Sequence, residues 1–456
     1  MKNKDTIVAV STPPGIGGVG IVRLSGPDSL HFAKKIFSPV GNQNSWTHSH
    51  LCYGIVHHPV TNERLDDGYA VFFRSPQSFT GEDVVELQLH GNPYLLSCIV
   101  GLFLEVGARL AQPGEFTKRS YLNGKIDLLQ AEAVSELIHS QSIVEAKNAR
   151  LRLDGKLSSR LEKLREETID VLAEIEANID FPDEDIEPKN QIRLLSMIDQ
   201  MLMESKFLLE TYNQNQKIAS GFRIALVGKP NVGKSSLFNA ILQDDRAIVA
   251  PQAGTTRDVL SEEVILGGHR VKFFDTAGLH PETIDPIEKE GMSRSVQQIE
   301  NADLVLWIGS TVEKYESSEL LILKNVSKDK CWLIWNKCDL QPPTQTLDFL
   351  FGNEFLISSK TGSGIHLLLE AVQTLLHKNH IEEFGGGISN DRQKELMSQL
   401  NQYFATSIQM IKEESPPELI AVEFRQSYHH LNRLLGKEED MEAMYDRIFS
   451  KFCVGK

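Results

Sequence analysis

The spacing of apolar positions changes along this 456-residue chain, and each change predicts a different kind of element. In residues 1–118 apolar positions gather in short, β-branched runs: IVAV, GVGIVRLSG, CYGIVHH, GYAVFFR and DVVELQLHG. Pro, Gly and Asp bound these runs, which predicts the strands of a β-rich domain. One helix is expected after Pro93, through YLLSCIVGLFLEVG. In residues 119–217 the rhythm lengthens. Leu157, Leu161, Leu164, Leu172, Ile175 and Ile179 keep the three- and four-residue spacing of an amphipathic helix, and Phe181-Pro182-Asp183 stops it. A second helical pattern runs through Leu195, Ile198, Leu202, Leu208 and Tyr212. The tail from Asp391 repeats it with Leu396, Leu400, Phe404 and Ile408, then Met441, Met444, Ile448 and Phe452. Between these helical stretches, residues 218–379 alternate strands and helices.

The fold class read from this pattern is α/β and multi-domain. A β-rich N-terminal domain covers 1–118. A discontinuous all-α domain takes 119–217 and 380–456, with an α/β block, 218–379, inserted into it. Domain termini often lie close together, so such insertion is cheap. The helical stripes alone leave three domains in series as an alternative. The GGG run at 385–387 is expected to act as a hinge.

Composition narrows the possibilities. A chain of this length is enough for roughly three domains. The formal net charge of −15, from 47 basic and 62 acidic residues, argues against a broadly basic nucleic-acid binder. RNA contact then needs a small basic patch or a partner; the plainer reading of the acidity is solubility. Five cysteines, an odd number without CxxC spacing, argue against a disulfide framework or a zinc site. They suit a reducing compartment, so a cytoplasmic location is expected. The short apolar run in MKNKDTIVAVSTPPG is broken by Pro13 and Pro14 and makes a poor signal peptide. No apolar stretch approaches about 18 residues, so no membrane span is expected.

The central block carries the clearest chemistry. FRIALVGKPNVGKSSLFNAI reads as strand, glycine-rich loop and helix, and Gly228, Gly233, Lys234 and Ser235 satisfy the phosphate-loop pattern. Backbone N–H groups through Asn231, Val232, Gly233 and Ser236 are placed to wrap phosphates. Lys234 reaches the β- and γ-oxygens, and Ser235 offers an oxygen to magnesium. Thr256, in the loop Gly254-Thr255-Thr256-Arg257-Asp258, can complete the magnesium shell. The strand VKFFDTAG then places Asp275 as an outer magnesium partner, with Thr276 and Ala277 leading to Gly278 under the γ-phosphate. WLIWNKCD supplies Asn336, Lys337 and Asp339. Asp339 accepts from the guanine N1–H and amino group while Asn336 reads the other edge, a donor pattern adenine lacks. Ser358, Ser359 and Lys360 form a last guanine loop. A lone NKxD is a common turn; four motifs in this order make chance a poor account.

GKPNVGKSSLFNA with GTTRD and DTAG resembles the TrmE–Era–EngA–septin-like GTPases, and the block is read as a Ras-like P-loop G domain. The flanks narrow the resemblance. TPPGIGGVGIVRLSG, SFTGEDVVELQLHG, QPGEFTKRSYLNGKIDLLQAEA, FPDED and the final FCVGK all resemble the MnmE (TrmE) family of tRNA modification GTPases, over essentially the whole chain. The resemblance implies a folate-binding, dimerising N-terminal domain, a homodimer, and a flavoprotein partner, MnmG (GidA), in a heterotetramer or larger complex. The joint reaction puts an aminomethyl-type group on carbon 5 of the wobble uridine of certain tRNAs. A tetrahydrofolate derivative, in its 5-formyl or methylene form, supplies the one-carbon unit. The implied folate residues are Arg23, Glu82, Lys125 and Lys456; from sequence alone Arg23 is a solvated strand residue and Glu82 a turn residue. Ile16 departs from the Arg of many members, which puts a charge-dependent role there in doubt. Cys453 has two readings, an inert terminal cysteine or, by the resemblance, a reactive thiol near the folate. Cys331 and Cys338 read as packing residues.

Leu279 stands where Ras-type enzymes carry the Gln that orients water, and Leu cannot hydrogen-bond. The resemblance implies two substitutes. Asn231, with backbone oxygens around Ala250 and Gln252 and with Thr255, would ligate potassium, and the Pro251 and Ala253 backbone would line the same nucleotide loop. Glu288, in DPIEKEG, would hold the water through a second water. Without the resemblance, Asn231 is a loop cap and Glu288 a solvated helix residue. The main alternative is a ribosome-assembly switch of the Era or EngA type without modification chemistry. Era needs a KH domain, whereas the tail here is helical and acidic, and EngA needs a second G domain. A GTP-dependent scaffold that binds no folate is a third reading.

Overall fold

A computed structural model describes residues 5–41, 46–180, 188–244, 247–249, 261–275, 299–315, 323, 326–344, 351–378, 386–438, 448–449, 452–453 and 455. It divides into two compact units. One comprises Met1–Ile138, Leu151–Ser205 and Glu395–Lys456; the other comprises His139–Arg150 and Lys206–Lys394.

The first unit is built on a seven-stranded sheet of β1 (Ile7–Val10), β2 (Gly17–Ser25), β3 (Phe37–Pro39), β4 (Leu51–His57), β5 (Arg64–Phe73), β6 (Val84–Gly91) and β7 (Arg109–Leu110), in the order β3-β4-β5-β6-β2-β1-β7. Alternation along β2 sorts its two faces: Val22 and Leu24 join a core with Phe32, Ile36, Ile99 and Phe103 from helices Ser29–Ile36 and Pro93–Glu105. The second helix starts at Pro93 because the Asn92 side chain caps it, accepting from the N–H groups of Tyr94 (2.9 Å) and Leu95 (3.3 Å). On the opposite face Ile7 and Ala9 pack with Ala111 and Phe116. The register puts Ala9 opposite Arg23 and Arg23 opposite Glu86, in one row across three strands.

Helix Lys156–Asp180 buries Leu157, Leu161, Leu164, Thr168, Val171 and Ile175, a steps-of-four-and-three stripe. Thr168 holds a core position because its hydroxyl donates to the Leu164 carbonyl, 2.7 Å away. Leu172 and Ile179, expected in the stripe, are only half-buried. Helix Pro417–Leu435 meets this helix along an edge marked by Arg425–Glu176 (2.9 Å).

The second unit carries another seven-stranded sheet: β8 (Phe222–Val227), β9 (Ala247–Val249), β10 (Ser261–Leu266), β11 (His269–Asp275), β12 (Leu304–Ser310), β13 (Cys331–Asn336) and β14 (Asn353–Leu356), in the order β14-β13-β12-β8-β11-β10-β9. From β14 to β11 all pairs are parallel; β10 and β9 add antiparallel edges. β8 is buried on both faces, Ile224 and Leu226 on one and Ala225 and Val227 on the other, as a central parallel strand must be. Cys331 lies in this core, and burial pushes its thiol up to about 12.

The glycine run corrects one expectation. Gly385 and the tail residues 441–447 lie outside the described residues, but Gly386 and Gly387 are held fast. Asn215 Nδ2 donates to the carbonyls of Gly386 (2.8 Å) and Ile388 (2.9 Å), and a side chain at Gly387 would collide with Thr211. These residues form a pinned turn rather than a hinge.

Candidate functional site

The second unit gathers its phosphate and base motifs at the carboxyl ends of parallel strands, where ligands of such sheets sit. β8 ends at Val227 and runs through the glycine-rich loop into helix Lys234–Leu242. The loop turns through positive φ at Asn231 (65°) and at Gly233 (99°). A side chain at Gly233 would strike Asn336, and one at Gly228 would strike the Ile308 carbonyl, so both positions need glycine. Lys234 Nζ donates to the carbonyls of Gly228 (2.9 Å) and Lys229 (3.0 Å), bracing the loop from inside. Ser235 and Ser236 are exposed at the helix N-terminus, where free N–H groups and the helix dipole favour an anion.

Asn336 ties three loops together. Its Nδ2 donates to the carbonyl of buried Val232 (2.8 Å), and its Oδ1 accepts from the N–H groups of Lys337 (2.8 Å) and Ser359 (3.0 Å) and from Ser359 Oγ (3.1 Å). The sequence reading set this residue against the base. The structure spends its oxygen inside the protein and makes it a brace, with one Nδ2 hydrogen left over. Lys337, at a φ of 63°, has its carbonyl held by Thr311 Oγ1 (2.9 Å). Ser358 is buried and its Oγ accepts from the Thr361 N–H (3.2 Å), while Asp339 and Lys360 are exposed. Asp275 ends β11 beside Leu226 of β8. Ala250, Pro251, Gln252, Ala253, Gly254, Thr255, Thr256, Thr276, Ala277, Gly278, Leu279 and Glu288 lie outside the described residues.

Sequence reasoning missed one support here. The Lys229 ammonium lies 4.8 Å over the Tyr315 ring, and the Tyr315 hydroxyl accepts from the Ser310 N–H (2.6 Å). Tyr315 sits in a loop with no recognisable spacing, so nothing in the sequence signals the contact.

The first unit brings together three of the four residues named for folate. Arg23 Nε donates to Glu86 Oε1 (2.7 Å) and its Nη1 to the Gly455 carbonyl (3.2 Å), with the guanidinium 5.6 Å from the centre of the Phe116 ring. Nη2 has no protein partner among the described residues. Glu82 accepts from Ser25 Oγ (2.7 Å) and from Arg119 Nη1 (3.0 Å). Lys125 is exposed and donates to the Pro76 carbonyl (3.0 Å), and a Cβ at Gly81 would lie 3.2 Å from Lys125 Cγ. The terminal segment closes this face: Gly455 abuts Val10, Phe452 abuts Gly114, and the Cys453 carbonyl accepts from the Gly114 N–H (3.3 Å). The Cys453 side chain is exposed, and Lys456 lies outside the described residues. Arg23 is therefore no solvated strand residue, and Glu82 no loose turn residue.

Beneath Glu82 lies a charge cluster that the sequence reading did not single out. Arg119, 1% exposed, bonds Asp5 and Glu115 as well as Glu82, and Arg109 bonds Asp5 and Glu115. Burial works against the Glu115 carboxylate, but hydrogen bonds from Arg109, the Gln112 N–H and Arg119 hold it below its ordinary range. Asp5 is lowered in the same way, Arg109 and Arg119 overcoming its burial. The only local signal is Glu115 four residues before Arg119, which in sequence reads as an ordinary surface pair.

Among the described residues no helix is long and apolar enough to cross a membrane. A model of the MnmE helical domain matches residues 128–453, and one of the GTP-binding protein TrmE N-terminus matches residues 6–125. A tRNA modification GTPase MnmE of Thermotoga petrophila is 37% identical, covering 99% of this chain and 100% of that protein. The Aquifex aeolicus protein of the same name is likewise 37% identical with the same coverage, and that of Chlamydia pneumoniae is 38% identical over 100% of both chains. With full-length relatives of that name and matching models over both its N-terminal and helical parts, the chain belongs to the MnmE family of tRNA modification GTPases, enzymes that hydrolyse GTP.

Proposed function

We propose that this chain works with the flavoprotein MnmG (GidA) in the cytoplasm to install an aminomethyl- or carboxymethylaminomethyl-type group at carbon 5 of the wobble uridine of certain tRNAs. Residues 1–118 bind folate and dimerise, 119–217 with 380–456 form the helical domain, and 218–379 form the G domain. The observation that carries the reading is that Arg23, bonded to the terminal segment, and Glu82, bonded to Ser25 two residues along the same strand, serve one face of the N-terminal sheet, with Lys125 against the adjoining loop at Pro76 and Gly81. The donor set suits a folate: cations at Arg23 and Lys125 for the glutamyl carboxylates, and a carboxylate at Glu82 for the pterin amino group. A tetrahydrofolate derivative bound there supplies the one-carbon unit. Lys456 adds a further cation, and exposed Cys453 stands near enough in sequence to take part.

In the G domain, Ser235 and Thr256 hold magnesium, and Asn231 holds potassium with Thr255 and the backbone oxygens of Ala250 and Gln252. Glu288 orients the attacking water in place of a Gln at Leu279, while Lys234 and Gly278 bind the transferring phosphoryl group. The test is mass spectrometry of tRNA nucleosides from cells with and without the gene. Loss of the modified wobble uridine is expected. Unchanged wobble uridines would overturn the reading and favour an assembly switch of the Era or EngA type.

A further inference from the structure

The folate reading uses Glu82 but not the arginine beneath it. Arg119 Nη1 donates to Glu82 Oε2 (3.0 Å) and to the Asp5 carbonyl (3.0 Å), and its Nη2 donates to Asp5 Oδ1 (2.8 Å) and Glu115 Oε1 (3.0 Å). Its Nε is buried without a partner among the described residues, so the residue is not arranged to satisfy itself; its fork is aimed at carboxylates. Ser25 Oγ, 2.8 Å from Thr80 Oγ1, donates to the same Glu82 oxygen, Oε2 (2.7 Å). Two short bonds therefore fix Oε2, while among the described residues Oε1 receives only a 3.4 Å contact from Arg119. A buried ionic cluster stabilises a fold no better than apolar packing does, so stability alone is a weak account of it.

We infer that Arg119 is a positioning residue: with Ser25 it locks one oxygen of Glu82 and presents the other to the donor edge of a bound pterin. The inference rests on the folate reading above. It also explains why an arginine is needed, since a lysine ammonium cannot bond Glu82, Asp5 and Glu115 in one plane.

The test is calorimetric titration of the full chain with 5-formyltetrahydrofolate, for the parent, Arg119→Lys, Glu82→Gln and the double variant. The lysine keeps a counter-charge for the buried carboxylates. Each single change is expected to weaken binding roughly tenfold. The double variant should bind no more weakly than Glu82→Gln alone, because Arg119 acts only through Glu82. Ser25→Ala, a smaller change, supplies a second cycle should Arg119→Lys fail to fold, and it too should be silent in the Glu82→Gln background. Additive losses, or parent-like affinity in folded Arg119→Lys with Glu82→Gln weakened, would overturn the positioning role and leave the folate reading standing; parent-like affinity in Glu82→Gln would overturn the positioning role and remove Glu82 from the folate site. No binding by the parent would overturn both.

Discussion

Asp339 is exposed in the NKCD turn proposed to read guanine, so its carboxylate can be changed without disturbing a packed core. Asp339→Asn should weaken GTP binding by roughly 1.5–3 kcal/mol, the worth of a hydrogen bond to a charged group, and gain binding of xanthosine triphosphate. Unaltered GTP affinity in a fluorescence titration would remove Asp339 from the base site. The Asp5 and Glu115 carboxyls, lowered from ordinary values of 3.8 and 4.5, give a pH prediction. A carboxylate held lower in the folded than in the unfolded chain stabilises fully above its unfolded value, and that support fades as pH falls through the folded one. Stability of the N-terminal unit should therefore decline below about pH 4.5, and Glu115→Gln should flatten that decline. Urea titrations at several pH values would read it, and an unchanged slope would contradict the assignment. At this scale much of the site was hidden in the sequence. Asp339 and Lys234 announce themselves through motif spacing. Arg119 does not, because its partners lie at Asp5 and Glu82, far away in the chain.

Among the elements, the pinned turn at Gly386 and Gly387 makes a sharp test. Gly387 has a φ of 53° with Thr211 directly against it. Gly387→Ala should destabilise the second unit by more than about 1 kcal/mol, seen as a lower thermal midpoint. A hinge in open space would accept alanine at little cost, so an unshifted midpoint would restore that reading. Element identity was largely legible: the five quoted strand runs and the helix after Pro93 form as expected. Short pieces were not, as with β3 and β7, which are 3 and 2 residues long and show no period. Thr168 escaped for another reason. Its polarity hides a core position that only the bond to the Leu164 carbonyl makes tolerable.

For the whole molecule, the proposed potassium site predicts much faster GTP hydrolysis in potassium than in sodium at equal ionic strength. An arginine finger is worth about 10³–10⁵ in rate, and the ion has to make up that loss. Glu288→Ala should abolish turnover while leaving GTP affinity intact. Equal rates in the two salts would leave Leu279 without a substitute. Reduced folate should bind through the first unit, and Arg23→Ala should weaken it without altering GTP affinity, as titration calorimetry would show. That same Arg23 reaches a carbonyl 432 positions away, at Gly455. The consequence concerns time. A ribosome adding about 5–20 residues per second needs roughly 20–90 seconds to travel from one partner to the other. Through that interval the early strands can pair and bury their helices, and Arg23 can meet Glu86 and the Phe116 ring, but not the Gly455 carbonyl. The face that would take folate is thus assembled after both sheets have been synthesised, and a nascent chain stalled between Leu110 and Gly455 would have all seven N-terminal strands without their closing segment.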